Sequence, residues 1–284
     1  MALTKKAHLP GFGPTAGYYE YIARGYDSVA DTYDEVEGQN EISERVRRHS
    51  LDAAFRRFLP GERILELGCG TGRDAISLAR QGIRVMATDV SPAMVKGTRE
   101  RVRDAHLGDL VTVECLNASA AAAKGPFDGA YSNGAVLNLE PDLAGVANGL
   151  RQALVPGSFV VLTGANRLSL FEMLFYPIAL RPRKAFRKLG NEIPIPLSRE
   201  GKGRTYVVPT RFLTPNEFLS PFRSGFVLRL QRGIQVITPP WNLVNLVRLF
   251  EPAVLPLVSI EDRIGTLPGF RDLGAIYLTV LQRN

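Results

Sequence analysis

Residues Ile64–Ala75 read ILELGCGTGRDA. An apolar run broken by Glu66 enters the loop Gly68-Cys69-Gly70-Thr71-Gly72, and a helical pattern starts at once with Arg73. A glycine-rich turn between a parallel strand and a helix lets a ligand approach the backbone and the positive end of the helix dipole. The spacing here is G-x-G-x-G. The dinucleotide fingerprint is G-x-G-x-x-G, and Arg73 stands where its third glycine belongs. The Gly-Lys-Ser/Thr run of a phosphate-binding loop does not follow either. The surrounding chain has to identify the ligand.

Outward from this loop, apolar strands alternate with amphipathic helices, which predicts a parallel sheet covered on both faces. RILELGC is a strand and GRDAISLARQG a helix that Gly82 ends. RVMATDV is the next strand; Ser91 and Pro92 then form an N-cap and first-turn pair for the helix AMVKGTRERVRDAH. VTVECLN, FDGAYSN and SFVVLTGAN supply three more strands, with DLAGVANGLRQAL helical between the last two. The alternation breaks after Asn166. An apolar helix over 168–180 leads into the basic run RPRKAFRKLG and a Pro- and Gly-rich stretch reaching about Thr210. TPNEFLSPFRSG predicts a short helix capped by Thr214, FVLRLQRGIQVI a strand, and GAIYLTVLQRN a last strand after a second insertion. Near the N-terminus, Ile22, Tyr26, Val29, Tyr33 and Val36 fall on one face of a helix.

The chain has 284 residues, 45% of them hydrophobic and 22% charged, so a large packed core is expected and disorder is not. No apolar run reaches the roughly 18–20 residues of a membrane span, and no secretory signal is visible. The two cysteines, Cys69 and Cys115, lie in strand-like segments without a disulfide pattern. A cytoplasmic location is the expectation. A net charge of +7 favours anionic partners in general.

Asp89 ends the second strand, where a carboxylate can accept hydrogen bonds from both ribose hydroxyls of an adenosine. Asn117 ends the third, where an amide can meet an adenine edge. With these in place, the chain resembles the class I S-adenosylmethionine-dependent methyltransferases, of the small-molecule, type 11-like kind. ILELGCGTG resembles their first motif, ATDVSPAMV their acidic loop, LNAS their adenine loop and FDGAYSNGAVLNL their fourth strand with its following loop. LRQALVPGSFVVLTG is similar to their approach to the fifth strand, and the likeness spans about Arg63 to Gly164.

That resemblance implies an α/β fold: a Rossmann-like seven-stranded sheet with an antiparallel end strand, helices on both faces, and lid insertions. Residues 1–60 would be N-terminal lid helices. Residues 61–284 would be the methyltransferase domain, with insertions at about 166–210 and 239–272. It further implies S-adenosylmethionine as cofactor. Glu66, Gly68, Gly70, Gly72 and Asn133 would lie around the methionine part, Asp89 would hold the ribose, and Asn117 with the backbone of Ala118 the adenine. Val90 and Met94 would flank the adenine ring, and Tyr26 and Tyr33, in GYDSVADTYDEV, would close over the cofactor. An aromatic helix face is also what ordinary packing looks like, so both readings of these tyrosines stay open.

The expected reaction is metal-independent methylation of a small, partly apolar or aromatic metabolite at O, N or C. Asn138 and Glu140, after the fourth strand, are the catalytic candidates. Asn138 and Trp241 are the expected substrate contacts. None of His8, His49 and His106 follows the third strand, and His49 reads as a solvated helix residue. RNA methylation and a non-catalytic cofactor-binding scaffold are the alternatives. The fourth strand is followed by SNGA, not by the Pro-Pro motif of amino-methylating nucleic-acid enzymes. The expected partners are a small-molecule substrate and no specific nucleic acid, with a monomer or homodimer as the assembly. The run Arg181, Arg183, Lys184, Arg187 and Lys188 is read as a solvated helix end. A weak peripheral membrane contact through 168–188 is the further expectation there.

Overall fold

A computed structural model describes residues 13–38, 40–190, 192–197 and 206–284; His8 and part of the Pro- and Gly-rich stretch lie outside them. Three helices come first: α1 (Ala16–Asp27), α2 (Ala30–Gly38) and α3 (Glu41–Phe55). Then β1 (Arg63–Leu67), α4 (Arg73–Ala79), β2 (Arg84–Asp89), α5 (Pro92–Asp104), β3 (Val111–Cys115) and α6 (Ala118–Ala122) alternate. They are followed by β4 (Phe127–Ser132), α7 (Leu143–Ala153) and β5 (Leu154–Ala165). The first insertion contributes α8 (Leu170–Ile178), α9 (Pro182–Ala185) and the hairpin β6 (Ile193–Leu197) and β7 (Tyr206–Thr210). The chain ends with α10 (Pro215–Leu219), β8 (Phe226–Ile234), α11 (Val244–Leu249), α12 (Glu251–Ile264) and β9 (Ile276–Arg283).

The main sheet has seven strands in the order β3-β2-β1-β4-β5-β9-β8. β9 runs antiparallel to both neighbours, pairing Ala165 with Ile276 on one side and Ile234 with Ile276 on the other. The antiparallel strand is thus the last in the chain, and it lies between β5 and β8. Strand alternation divides the core. Ile64 of β1 packs with Ala54, Leu78 and Val161 on the face under α3 and α4. Leu65 and Leu67 pack with Val146, Leu150 and Phe218 on the face under α7 and α10. The same alternation turns Glu66 to the side of Ile64, towards the helices that carry the glycine loop.

The N-terminal stripe is two helices and not one. α1 ends at Asp27, whose side chain accepts from Ser91 at the start of α5, and the Ser28 hydroxyl at its C-cap donates to Gly25 O at 2.6 Å. Ile22 and Val29 are buried, but Val36 is exposed and lies off the packed face. The hairpin β6–β7 seats α1: Ile195, Leu197 and Val208 pack with Tyr18 and Ile22, and the Tyr21 hydroxyl donates to Val207 O at 2.8 Å.

The second insertion is pinned by Glu261. Its carboxylate accepts the backbone N–H groups of Gln235, Val236, Ile237 and Thr238 at 2.8–3.0 Å and pairs with Arg45 of α3 at 2.9 Å. His49 belongs to the same junction, 3.1 Å from Asp262. It is half-buried, which corrects its reading as solvated, and burial pushes its imidazole down. His106 is exposed, in left-handed backbone just past α5.

Candidate functional site

The glycine loop is built for three separate reasons. All three glycines have positive φ, at 73°, 54° and 83° for Gly68, Gly70 and Gly72. A Cβ on Gly68 would run into Val136, and one on Gly72 would stand 2.7 Å from Thr98 Cγ2 of α5. Both close against the protein itself. Gly70 differs, since its Cβ position is open except for the Tyr33 ring, with Cε1 3.9 Å away. Of the three, only Gly70 has its Cβ direction left open, with the Tyr33 ring opposite.

Asp89 is oriented by the loop it faces. Its Oδ2 accepts from Gly70 N and its Oδ1 from Ser91 N, both at 2.9 Å. Burial pushes this carboxyl up, and those same N–H groups oppose the shift by favouring the charged form. Each oxygen keeps further acceptor capacity, which suits a vicinal diol. The Tyr26 and Tyr33 rings meet edge to face, with centroids 6.4 Å apart. Burial raises both phenols, and the charge of Asp89 adds to each shift.

Two aspartates unread in the sequence hold this cover down. Asp27 Oδ1 accepts from Ser91 Oγ at 2.5 Å and Ala93 N at 3.0 Å, at the start of α5. Asp34 Oδ1 accepts from Thr71 Oγ1 at 2.5 Å, and its other oxygen pairs with Arg101. The signal was present as a repeat, Tyr26-Asp27 and Tyr33-Asp34: each ring is followed by its own anchor.

Beneath the loop lies an acidic cluster. Glu66 is 2% exposed, and its Oε2 has no hydrogen-bond partner. Burial holds its carboxyl well above the usual range, and Asp74 and Asp89 add to that. Asp74 pairs with Arg47 Nε at 2.5 Å and accepts from the Tyr131 hydroxyl at 2.9 Å and Asn133 Nδ2 at 3.0 Å. Asn133 Oδ1 accepts from Thr163 Oγ1 at 3.1 Å, so its amide is engaged by protein at both ends. Arg47, Asp74 and Tyr131 carry no motif of their own; they are brought together from α3, α4 and β4.

After β3, Asn117 caps α6, with Oδ1 accepting from Ala120 N at 2.8 Å. Ala118 and Val90 are half-buried; Met94 is enclosed at 1% exposure.

Three expected active-site residues are tied into the protein's own packing. Asn138 is fully buried, in the turn 136–138. Its Nδ2 donates to Ala165 O at 2.9 Å and Arg211 O at 2.6 Å, and its Oδ1 accepts from Ala165 N at 2.9 Å. Both donors are spent on backbone, so Asn138 is a strut between β5 and the segment after β7, not a substrate contact. Glu140 is 5% exposed, and its Oε1 accepts from the Tyr19 hydroxyl at 2.6 Å, Asp142 N at 3.0 Å and Ser119 Oγ at 3.3 Å. It ties α1 to the start of α6. Trp241 packs with Ile42, Val247 and Val254, in a cluster separate from the one around Tyr26 and Val90. Cys69 is buried with its thiol pushed well up by burial, and no nucleophilic role follows from it. Among the described residues, no group of three or more His, Cys, Asp or Glu is placed to hold a metal ion.

A family profile described as "Methyltransferase domain" matches residues 64–157. The chain is 27% identical over 231 residues to a demethylmenaquinone methyltransferase of Symbiobacterium thermophilum, covering 77% of this chain and 90% of that protein. It is 34% identical over 147 residues to a demethylmenaquinone methyltransferase of Beutenbergia cavernae, covering 51% of this chain and 56% of the relative. It is 29% identical over 143 residues to a ubiquinone biosynthesis O-methyltransferase of Xanthomonas campestris pv. campestris, covering 50% and 59%. The chain thus spans little more than half the length of these last two. In fold it is similar to the [4+2]-cyclase SpnF, with a TM-score of 0.62, 18% identity and 98% of each chain covered. It is also similar to DhpI, solved with SAH, with a TM-score of 0.58, 14% identity and coverage of 95% and 98%.

Proposed function

This chain belongs to the class I S-adenosylmethionine-dependent methyltransferases, and we propose that it methylates a small, partly apolar or aromatic metabolite without a metal. The observation that carries the reading is the open Gly70 backbone, flanked by an Asp89 carboxylate that two N–H groups orient and covered by Tyr33. The residues fit the cofactor. Asp89 would take the ribose hydroxyls. The Oδ1 of Asn117 is used by its cap, so its Nδ2 end and the Ala118 backbone are left for adenine. The orphan Oε2 of Glu66 would accept from a cationic donor near the loop.

When bound, the cofactor supplies an activated methyl on a positively charged sulfur that becomes neutral as the methyl leaves. The chain's part is to orient and to exclude water. Tyr26 and Tyr33 would shield the loop, and Asp27 and Asp34 would hold that shield shut. Discharging a cation is favoured in a dry pocket. The similarity to demethylmenaquinone and ubiquinone-biosynthesis methyltransferases supports an aromatic acceptor with apolar character.

The test is a panel of phenolic, quinol and amine acceptors, followed by S-adenosylhomocysteine formation. The reading expects product only when an aromatic or apolar acceptor is present. Methylation of RNA instead, or cofactor binding with no turnover on any acceptor, would overturn it.

A further inference from the structure

The first insertion carries a surface that the cofactor site does not use. In α8, Ile178 is 81% exposed, and Leu180, just past its end, is 90% exposed. Phe186 and Leu189 are exposed as well. Leu180 is also held in left-handed backbone at φ 56°, where its N–H donates to Pro177 O. A glycine would serve that turn at lower cost. Neither local conformation nor packing accounts for a leucine there.

Basic residues surround these apolar ones, and they are not all equivalent. Lys188 is 3% exposed and paired with the buried carboxylate of Glu172, which removes it from the basic run and fastens the segment to α8. Arg181, Arg183, Lys184 and Arg187 remain exposed. Three of them, Arg181, Lys184 and Arg187, line a cleft of about 550 Å³ together with Phe175, Tyr176 and Asn242. The Tyr176 hydroxyl accepts from Asn242 Nδ2 at 3.3 Å, while Asn242 Oδ1 is buried without a partner. The cleft therefore joins the two insertions, and the second one brings exposed apolar residues of its own, Leu249 and Phe250, shortly after the cleft wall. Among the described residues no helix is long and apolar enough to cross a membrane.

We propose that the face formed by α8, α9 and this cationic cleft docks the protein on a bilayer surface rich in anionic phospholipids. Aliphatic side chains exposed beside cations match an interface in which headgroup phosphates lie above acyl chains. The cleft takes a headgroup phosphate between Arg181, Lys184 and Arg187, and Ile178 and Leu180 enter the acyl boundary. A nucleic-acid surface would use the cations but has no place for the exposed leucine and isoleucine. The net charge of +7 steers the chain to the same surface. This inference does not rest on the identity of the methyl acceptor.

The test is co-sedimentation of the full chain with mixed phosphatidylglycerol–phosphatidylcholine vesicles and with phosphatidylcholine vesicles alone. Binding is expected only to the first, and it should weaken between about 50 and 200 mM salt. Replacing Arg181, Lys184 and Arg187 together by Gln should weaken it on the order of a hundredfold. The pair Ile178→Ser and Leu180→Ser, at solvent-exposed positions with melting unchanged, should weaken it about tenfold. No binding to anionic vesicles overturns the proposal. Salt-sensitive binding that ignores the Ile178/Leu180 pair overturns it too, because adsorption would then be purely ionic. So does a single-stranded RNA oligonucleotide that binds as tightly and competes with the vesicles.

Discussion

The Thr71 hydroxyl donates to the Asp34 carboxylate at 2.5 Å, joining the N-terminal cover to the glycine loop at the residue beside Gly70. The second oxygen of Asp34 pairs with Arg101 on α5. One carboxylate thereby sets the height of Tyr33 over the loop. Asp34→Ala should leave the core melting transition nearly unchanged, since the pair is half-exposed. It should weaken S-adenosylmethionine binding about tenfold and raise amide exchange in α2. Unchanged affinity by calorimetry would make the cover independent of its latch.

Asp89→Ala is expected to weaken cofactor binding by at least about a hundredfold, since hydrogen bonds to a desolvated charged acceptor are each worth roughly 1.5–3 kcal/mol. Titration calorimetry measures it. A loss below about threefold removes Asp89 from the site.

Gly70→Ala and Gly72→Ala separate the two uses of glycine. Both positions have positive φ, which costs an alanine roughly 1–2 kcal/mol. Gly72→Ala also meets Thr98 at 2.7 Å, so it should lose about 2–4 kcal/mol of stability in urea titration. Gly70→Ala meets open space and should fold with only the backbone cost, yet bind cofactor poorly. The reverse pattern would place the ligand elsewhere on the loop.

Glu66 should make stability depend on pH in an unusual direction. Its carboxyl is raised well above the ordinary 4.5 by burial and by Asp74 and Asp89, so the folded state binds the proton more tightly than the unfolded state. The stabilising effect is full at pH below 4.5 and is lost as pH rises through the folded value. Glu66→Gln should therefore melt higher than the parent at about pH 8, with roughly 2–4 °C for each kcal/mol, and the gap should close towards low pH. Calorimetric scans across that range decide it. A gap that ignores pH would mean that folding does not raise the Glu66 carboxyl above its unfolded value.

Asn138→Ala tests the strut. Removing three bonds leaves the backbone of Ala165 and Arg211 buried without these partners, a loss of at least about 2 kcal/mol. Turnover per folded molecule should stay within about threefold of the parent, because a strut contributes no transition-state contact. A selective loss of kcat with stability intact would restore Asn138 to the active site.

The order of strands and helices, the glycine loop, Asp89 at the end of β2 and the Ser91 and Thr214 caps were all legible in the chain. They are local features: alternation with period two or 3.6, and cap chemistry within three residues, follow from backbone geometry alone. Only the tertiary structure decided which glycine is left open, because Val136 and Thr98, which close Gly68 and Gly72, come from the loop after β4 and from α5. The same holds for Asn138 and Glu140. A short polar side chain after a strand reads alike whether it faces a pocket or a carbonyl, and here long-range partners, Arg211 and Tyr19, made one a strut and the other a tie. Lys188 shows the limit most simply: five basic residues in one run look equivalent, until Glu172 sixteen residues earlier buries one of them and leaves the others to the surface. Burial is a property of what arrives from elsewhere in the chain, and no window of neighbouring residues contains it.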